Sequence, residues 1–286
     1  AAQLQHFAAG VGSVNVDLVA GTATLDNGDV STLVGIENVS GTSNDDTIAG
    51  DANLNSLAGG AGDDSIISVA GNDTVAGGDG ADTLAFGFGD HFATGDAGDD
   101  TFVIDTTRLD GNDTLDGGAD TDDLQVSGGG DITADQLAST SNFERLTLVS
   151  DLETTVELRD NTLRNSGNVI VDASALAAAT SFLLIDAALK TDAAIELIGG
   201  GSEDVAFGTS LDDTLAGNAD QDALFGNDGN DIIDGGADAD LVDGGAGNDS
   251  VAGGAGQDAL VGGLGDDTLD GGADLDVVDF TDAGSA

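Results

Sequence analysis

Apolar positions recur at a spacing of nine residues along two stretches of the chain. Residues 208–279 divide into eight consecutive units of nine without an insertion. Residues 41–103 divide into seven such units, and two more, residues 108–125, follow a four-residue insert at 104–107. The eighth position of each unit is apolar. Internal repeats of fixed length predict a solenoid, in which each repeat stacks on its neighbours.

The unit is too short for a helical repeat and predicts a coil of strands and turns. The apolar position lies on a short strand of three residues, and the other six residues form a turn. Two units then make one coil of 18 residues, and stacked coils lie about 4.8 Å apart, the distance between neighbouring strands. The predicted fold class is all-β, with two parallel β-roll (β-solenoid) blocks at residues 41–125 and 208–279.

The remaining segments alternate apolar and polar residues, which predicts strands outside the nine-residue period. In residues 126–207 these segments are FERLTLV (143–149), TVELRD (155–160), VIVDAS (169–174), FLLIDAAL (182–189) and AIELIGG (194–200). We interpret 126–207 as a β-rich, metal-free spacer that is either solenoid-like or sandwich-like. Residues 1–40 are predicted to be capping strands that shield the edge of the first roll.

Composition limits the classes of partner. The chain of 286 residues has 55 acidic and five basic residues, a formal charge of −50. Such a chain has no basic face for nucleic acid. It has no cysteine, which excludes disulfides and thiolate metal sites. No apolar run is long enough to cross a bilayer, so membrane insertion is not expected. Composition alone predicts disorder, but the regular placement of Asp and Gly argues against it.

Candidate chemistry lies at fixed positions of the repeat. Position six is Asp in nearly every unit and supplies a hard anionic oxygen. Glycine at positions one, two and four permits positive φ and lets main-chain carbonyls come close to an ion. Turns on one side of the roll come from alternate units, so their oxygens face each other across one coil. Several oxygens at short range are what Ca²⁺ requires, whereas Mg²⁺ demands tight octahedral geometry.

Several units resemble a known calcium-binding repeat. GGAGDDSII, GGDGADTLA, GGAGNDSVA and GGLGDDTLD are similar to the RTX (repeats-in-toxin) nonapeptide GGxGxDxUx. The resemblance implies multiple Ca²⁺ ions, about 8–12, held by carboxylates and carbonyls. The implied carboxylate ligands are Asp46, Asp64, Asp73, Asp82, Asp100, Asp113, Asp122, Asp213, Asp222, Asp231, Asp240, Asp249, Asp258, Asp267 and Asp276. The implied carbonyl ligands are Gly60, Gly62, Gly78, Gly80, Gly98, Gly229, Gly236, Gly245, Gly247, Gly254, Gly256, Gly263, Gly265 and Gly272.

The columns of position-six residues are not equivalent. One side of the first block carries Asn55 and His91 among its position-six residues, and we expect that side to bind metal weakly or in part. His91 is interpreted as a degenerate repeat position in preference to a transition-metal ligand. Asp220, Asp238 and Asp274 replace glycine at position four and either add a ligand or distort the turn. The acids at position five are interpreted as solvated charge: Asp45, Asp63, Asp212 and Asp266.

The two ends of the sequence resemble neighbouring parts of one RTX chain. In that family a DF-x-x-A-G element, here within residues 279–284, runs into a V-x-V-x-L strand, here residues 14–18. Either copies associate head to tail, with residues 280–286 as tail or junction, or the chain is a segment of a longer protein. Both readings stay open at this stage.

No G-x-S-x-G, H-E-x-x-H, phosphate-loop or dinucleotide motif occurs, so we do not expect an enzyme. The resemblance favours a secreted, extracellular structural protein of a surface layer, filament or adhesin, exported by type I secretion. Self-association is the expected interaction, and contact with cell-surface polysaccharide is a further expectation. The alternative is an accessory β-roll module of a secreted protease, lipase or epimerase.

Overall fold

The computed structural model describes residues 2–3, 12–149, 152–160, 162–163, 167–176 and 182–280. All regular elements in these residues are β-strands, which confirms the predicted all-β class. None of the described residues forms a helix of the length and apolarity that crossing a membrane requires. The chain divides into two compact units, residues 1–126 with 135–144, and residues 127–134 with 145–286.

The strands are short and follow each other closely. The first fourteen are β1 (Ala2–Gln3), β2 (Val14–Asp17), β3 (Thr22–Leu25), β4 (Val30–Thr32), β5 (Ile36–Ser40), β6 (Thr47–Ala49), β7 (Ser56–Ala61), β8 (Ser65–Ile67), β9 (Thr74–Asp79), β10 (Thr83–Ala85), β11 (Phe92–Ala97), β12 (Thr101–Asp105), β13 (Thr114–Ala119) and β14 (Asp123–Ser127). The others are β15 (Gly130–Ile132), β16 (Thr140–Ser141), β17 (Arg145–Leu148), β18 (Thr154–Arg159), β19 (Val169–Asp172), β20 (Leu183–Leu189), β21 (Ile195–Ile198), β22 (Asp204–Phe207), β23 (Thr214–Asn218), β24 (Ala223–Phe225), β25 (Ile232–Ala237), β26 (Leu241–Ala246), β27 (Ser250–Ala255), β28 (Ala259–Leu264), β29 (Thr268–Ala273) and β30 (Val277–Val278).

The first unit is a parallel solenoid with two faces. One face has the strand order β1-β5-β7-β9-β11-β13-β16, and the other contains the order β12-β10-β8-β6-β2. Neighbouring strands pair residues 18 apart, for example Ile66 with Leu84 and Leu84 with Phe102. Residues of the predicted cap form an antiparallel meander, β2-β3-β4, that pairs with β6 through β2.

The second unit repeats this construction. One face has the order β15-β18-β20-β22-β24-β26-β28-β30, and the other contains β29-β27-β25-β23-β21-β19-β17. Pairing is parallel throughout, so alternate strands belong to alternate faces of the roll. Both units are therefore β-solenoids of the predicted kind.

The core consists of the position-eight side chains stacked one above another. All but the last two, Leu269 and Val278, are at most 1% exposed. The buried ones are Ile48, Leu57, Ile66, Val75, Leu84, Ala93, Phe102, Leu115, Leu124, Leu215, Leu224, Ile233, Val242, Val251 and Leu260. In the first unit Phe102 meets Phe143 edge to face at 5.0 Å between ring centroids. Burying one such side chain contributes about 1.5–3 kcal/mol. Many strands have six residues where three were predicted, because the ladder continues into the first three residues of the next unit.

The four-residue insert does not disturb the columns. Residues 104–107 enlarge one coil, so that β11 pairs with β13 at a spacing of 22 residues, as in Phe92 with Thr114. The enlarged coil buries Ile104 and Leu109 in the core.

The five strands predicted in residues 143–200 are present as β17 to β21. They pair in parallel, β17 with β19, β19 with β21 and β18 with β20, and so continue the solenoid. Of the two predicted forms of the spacer, the solenoid-like one is observed. The finer domain limits at residues 40, 125, 207 and 279 stay predictions. The proposed junction of the chain ends lies largely outside the described residues, since 1, 4–11 and 281–286 are among those not described.

Candidate calcium centres

The position-six residues of alternate units stand above one another in four columns. In the first unit, the first column contains Asp46, Asp64, Asp82, Asp100 and Asp122, and the second contains Asn55, Asp73, His91 and Asp113. In the second unit, the third column contains Asp213, Asp231, Asp249 and Asp267, and the fourth contains Asp222, Asp240, Asp258 and Asp276. Except for Asp267 and Asp276, which are half-buried, these residues are at most 3% exposed.

One oxygen of each carboxylate holds the column together. The main-chain N–H of a position-six residue donates to Oδ1 of the position-six Asp one coil further on. The distances are 2.7 Å from Asp46 to Asp64, 2.8 Å from Asp82 to Asp100, and 2.8 Å from Asp213 to Asp231. The same bond crosses the enlarged coil from Asp100 to Asp122 at 2.9 Å. The main-chain N–H of such a position-six residue is buried in a turn, and this bond gives it the acceptor that a buried N–H requires.

The other oxygen is buried and has no hydrogen-bond partner. This holds for Oδ2 of Asp64, Asp73, Asp82, Asp100, Asp122, Asp222, Asp231, Asp240, Asp249 and Asp258. Buried polar atoms in native proteins are nearly always paired, and a buried unpaired charge is costly. Ten such atoms in regular columns are suited to a cationic partner.

Position-one glycines make room for that oxygen. A Cβ on Gly59, Gly77, Gly226 or Gly235 would stand less than 3.0 Å from Oδ2 of the Asp in its own unit. It would equally meet the position-one carbonyl of the next coil, such as the Gly253 carbonyl at 2.8 Å from Gly235. Carboxylate and carbonyl oxygens thus converge on a space that any other residue would fill. Position one belongs to the glycine positions of the turn that were noted in the sequence, but the carbonyl ligands that the resemblance implied are all at positions two and four.

The predicted carbonyls at positions two and four lie at the same turns. The position-two residues belong to the ladder, as the Asn227 carbonyl accepts the Ala246 N–H at 2.6 Å. Position four keeps a left-handed backbone even without glycine: Asp220, Asp238 and Asp274 have φ of 69°, 77° and 81°. Asp is among the few residues that tolerate this region. The position-four glycines have larger φ, for example 105° at Gly62 and 154° at Gly256, so the turn keeps its hand but changes its φ where Asp replaces glycine.

Burial and mutual repulsion oppose ionisation of the columns. Burial raises the pKa of Asp222 to about 8, with Asp204 and Asp240 adding like charge. Burial also raises the pKa of Asp64, Asp100 and Asp231 to about 7. These carboxylates are fully ionised at neutral pH only when a positive charge lies beside them.

The oxygens present fit calcium. Among the described residues, no three His, Cys, Asp or Glu side chains form a group that could hold an ion. A metal in the columns must therefore be held by Asp carboxylates together with main-chain carbonyls. Hard oxygen donors in larger number suit Ca²⁺, whereas Zn²⁺ and Cu²⁺ favour imidazole and thiolate. The residues that would hold it are the position-six Asp with unpaired Oδ2 and the turn carbonyls beside them.

Three predicted carboxylates are placed differently within the columns. Both oxygens of Asp46 accept main-chain N–H groups, from Val14 at 2.6 Å and Thr42 at 2.5 Å. Asp213 accepts from Ile195 and Thr209 in the same way. Asp113 accepts from His91 and Asp110. These three carboxylates are satisfied by the backbone and have the weakest need of an ion.

Two further residues extend the columns. Asp204 donates its N–H to Asp222 Oδ1 at 2.8 Å and is 1% exposed, so it precedes Asp222 in the fourth column. Its signal was present in the sequence, nine residues before Asp213 in the unit GGGSEDVAF (199–207). Glu144 accepts the Asp122 N–H at 2.9 Å and prolongs the first column. No nonapeptide surrounds Glu144, so the period could not indicate it.

The acids at position five are exposed and form an outer ladder. Asp63 donates its N–H to Asp45 Oδ1 at 3.0 Å, and Asn230 donates to Asp212 Oδ1 at 2.7 Å. Their carboxylates face solvent, as predicted for solvated charge, and they also link successive turns.

A family model for the RTX calcium-binding nonapeptide repeat matches the chain at residues 40–75, 59–90, 109–132, 198–233, 207–242 and 243–278. These matches cover more than half of the chain, which therefore belongs to the RTX calcium-binding repeat family. The repeats bind calcium ions at multiple sites, and such repeats are typical of secreted proteins. A search of curated proteins gave no match.

Proposed function

We propose that this chain is a non-catalytic, calcium-dependent structural module that acts outside the cell in a surface layer, filament or adhesin. The observation that carries the proposal is the set of buried position-six carboxylates whose Oδ2 atoms have no partner. They make the folded state conditional on Ca²⁺, because binding free energy then becomes folding free energy.

A calcium-conditional fold suits a protein that works outside the cell. Extracellular Ca²⁺ far exceeds cytosolic Ca²⁺, so the chain stays unfolded before export and folds afterwards. An unfolded chain is what a type I secretion channel accepts, as the family resemblance implied. Localisation outside the cell and this export route are parts of the proposal.

Calcium also supports self-association. At a formal charge of −50, copies of the chain repel each other over the Debye length of about 8–10 Å. Ca²⁺ bound in the columns lowers that charge, so association is expected in Ca²⁺ and not in chelator. Contact with acidic cell-surface polysaccharide would follow the same logic, with Ca²⁺ between two anionic surfaces.

The test is assembly as a function of calcium. Sedimentation and electron microscopy would be performed in Ca²⁺, in Mg²⁺ at equal ionic strength, and in chelator. We expect ordered fibres or sheets in Ca²⁺ alone. A folded monomer in Ca²⁺ at high concentration would contradict the structural role and favour the alternative, an accessory module of a secreted enzyme.

A further inference from the structure

The second column departs from the other three at position one. Glycine occupies that position in every unit of the first, third and fourth columns. In the second column the position-one residues are Gly50, Ser68, Phe86 and Arg108. Since glycine leaves room for the Asp Oδ2 elsewhere, larger side chains here must change what lies between the turns.

Aromatic rings fill part of that space. Phe86 is 4% exposed, and its ring lies 5.4 Å from the His91 ring and 5.6 Å from the Phe102 ring. His91 stands at position six, where the other columns have a carboxylate. Its Nδ1 lies 3.8 Å from Asp73 Oδ2, and both side chains are fully buried. The gap between the 68–73 and 86–91 turns therefore holds an imidazole beside the buried Asp73 carboxylate.

The gap between the 86–91 and 108–113 turns holds a permanent cation, the guanidinium of Arg108. Arg108 Nη1 donates to the Phe86 carbonyl at 3.4 Å, and the guanidinium carbon lies 4.8 Å from the centroid of the Phe88 ring. The Phe86 carbonyl is the counterpart of the position-one glycine carbonyls of the other columns. A guanidinium keeps its charge at any pH at which proteins fold. Like charges a few ångströms apart repel strongly in a partly buried site.

We propose that the Arg108 guanidinium, with Phe86 and His91, takes the place of calcium between the 86–91 and 108–113 turns, so that this part of the second column binds no Ca²⁺. The inference rests on calcium binding by the repeats and not on the structural role proposed above. At these coils of the first unit, calcium ions then bind beside the first column and not beside the second.

The test restores the consensus at three positions. The variant Phe86→Gly/His91→Asp/Arg108→Gly gives this part of the second column the residue types of the first column. Bound Ca²⁺ per chain would be counted by equilibrium dialysis with elemental analysis, for parent and variant at the same free Ca²⁺. We expect at least one additional ion in the variant. A variant that is folded and binds the same number as the parent overturns the proposal.

A matched pair of single substitutions keeps the test decisive if the triple variant does not fold. Arg108→Lys retains a cation, whereas Arg108→Gln retains hydrogen-bonding capacity without the charge. We expect Arg108→Gln to lower the melting temperature of the Ca²⁺-loaded protein and Arg108→Lys to lower it less. Equal melting of parent and Arg108→Gln would overturn the role of the guanidinium. Neither outcome depends on whether the protein assembles.

Discussion

The second unit contains two kinds of coil built on the same parallel ladder. The described residues of 145–198 form coils that carry basic residues, whereas residues 199–280 contain no Lys or Arg. In the first kind, Arg145 bonds to Asp172 at 2.6 Å and Arg159 to Asp186 at 3.3 Å. In the second kind, the interior carboxylates of the third and fourth columns each retain one buried oxygen without a hydrogen-bond partner: Asp222, Asp231, Asp240, Asp249 and Asp258.

Lys190 shows the difference most clearly. Its side chain is 1% exposed, and Nζ donates to Asp192 at 2.8 Å and to the Thr162 carbonyl at 3.2 Å. The ammonium thus joins a carboxylate to a main-chain carbonyl from an earlier turn. The same β-coil can balance its acidic turns with a side-chain cation or with a metal, and only the second choice makes folding depend on calcium.

The largest expected effect is from chelation. Removing Ca²⁺ should abolish amide protection in residues 204–278 and leave most of it in residues 154–198, because only the former lose their counter-ions. Hydrogen exchange with mass spectrometry in Ca²⁺ and in chelator measures both segments in one sample. Equal loss of amide protection in the two segments would show that they unfold together. The two kinds of coil would then not differ in how their stability depends on calcium.

A single interior carboxylate should have the next largest effect. Asp231→Asn keeps the shape and the bond from the Asp213 N–H but removes the charge. Losing one partner of a buried charge interaction costs about 3–5 kcal/mol, so we expect fewer bound ions and a lower melting temperature in Ca²⁺. Asp212→Asn is the matched control, since Asp212 is exposed and accepts through Oδ1. Similar effects of the two substitutions would indicate that position six has no special role.

Lys190→Met tests the coils that balance their acidic turns with a side-chain cation. Hydrogen bonds to a charged group contribute about 1.5–3 kcal/mol, and their loss should reduce thermal stability in Ca²⁺ while leaving the number of bound ions unchanged. Calorimetry and ion counting on the same sample measure the two quantities. A fall in the ion count would mean that Lys190 supports a calcium site.

Acidification should stabilise the calcium-free chain, by less than calcium does. The pKa values of Asp64, Asp100 and Asp231 are raised to about 7 from 3.8, so the folded state binds more protons than the unfolded chain between these values. The free energy of unfolding then falls as pH rises through that range and is regained on acidification. Circular dichroism in chelator from about pH 8 to about pH 5 should show increasing β-structure. A loss of β-structure over this range would contradict the raised pKa values.

The nine-residue period by itself determined the solenoid, the buried position-eight core and the columns of position-six Asp. These features depend only on which residues recur at a fixed spacing, and that spacing can be read from the sequence. Even the strands of residues 143–200 followed from local alternation, because period two places one set of side chains inside any coil.

Tertiary structure alone decided which atoms meet across the coils. It assigned Oδ1 to the ladder and left Oδ2 unpaired, satisfied Asp46 and Asp213 through the backbone, and brought Glu144 under Asp122. It also placed Arg108 on the Phe86 carbonyl, 22 residues away. Such contacts join residues that are far apart in sequence, and their register depends on how each coil absorbs residues outside the period. A repeat therefore specifies a column, while the stacking of whole coils specifies what each column can bind.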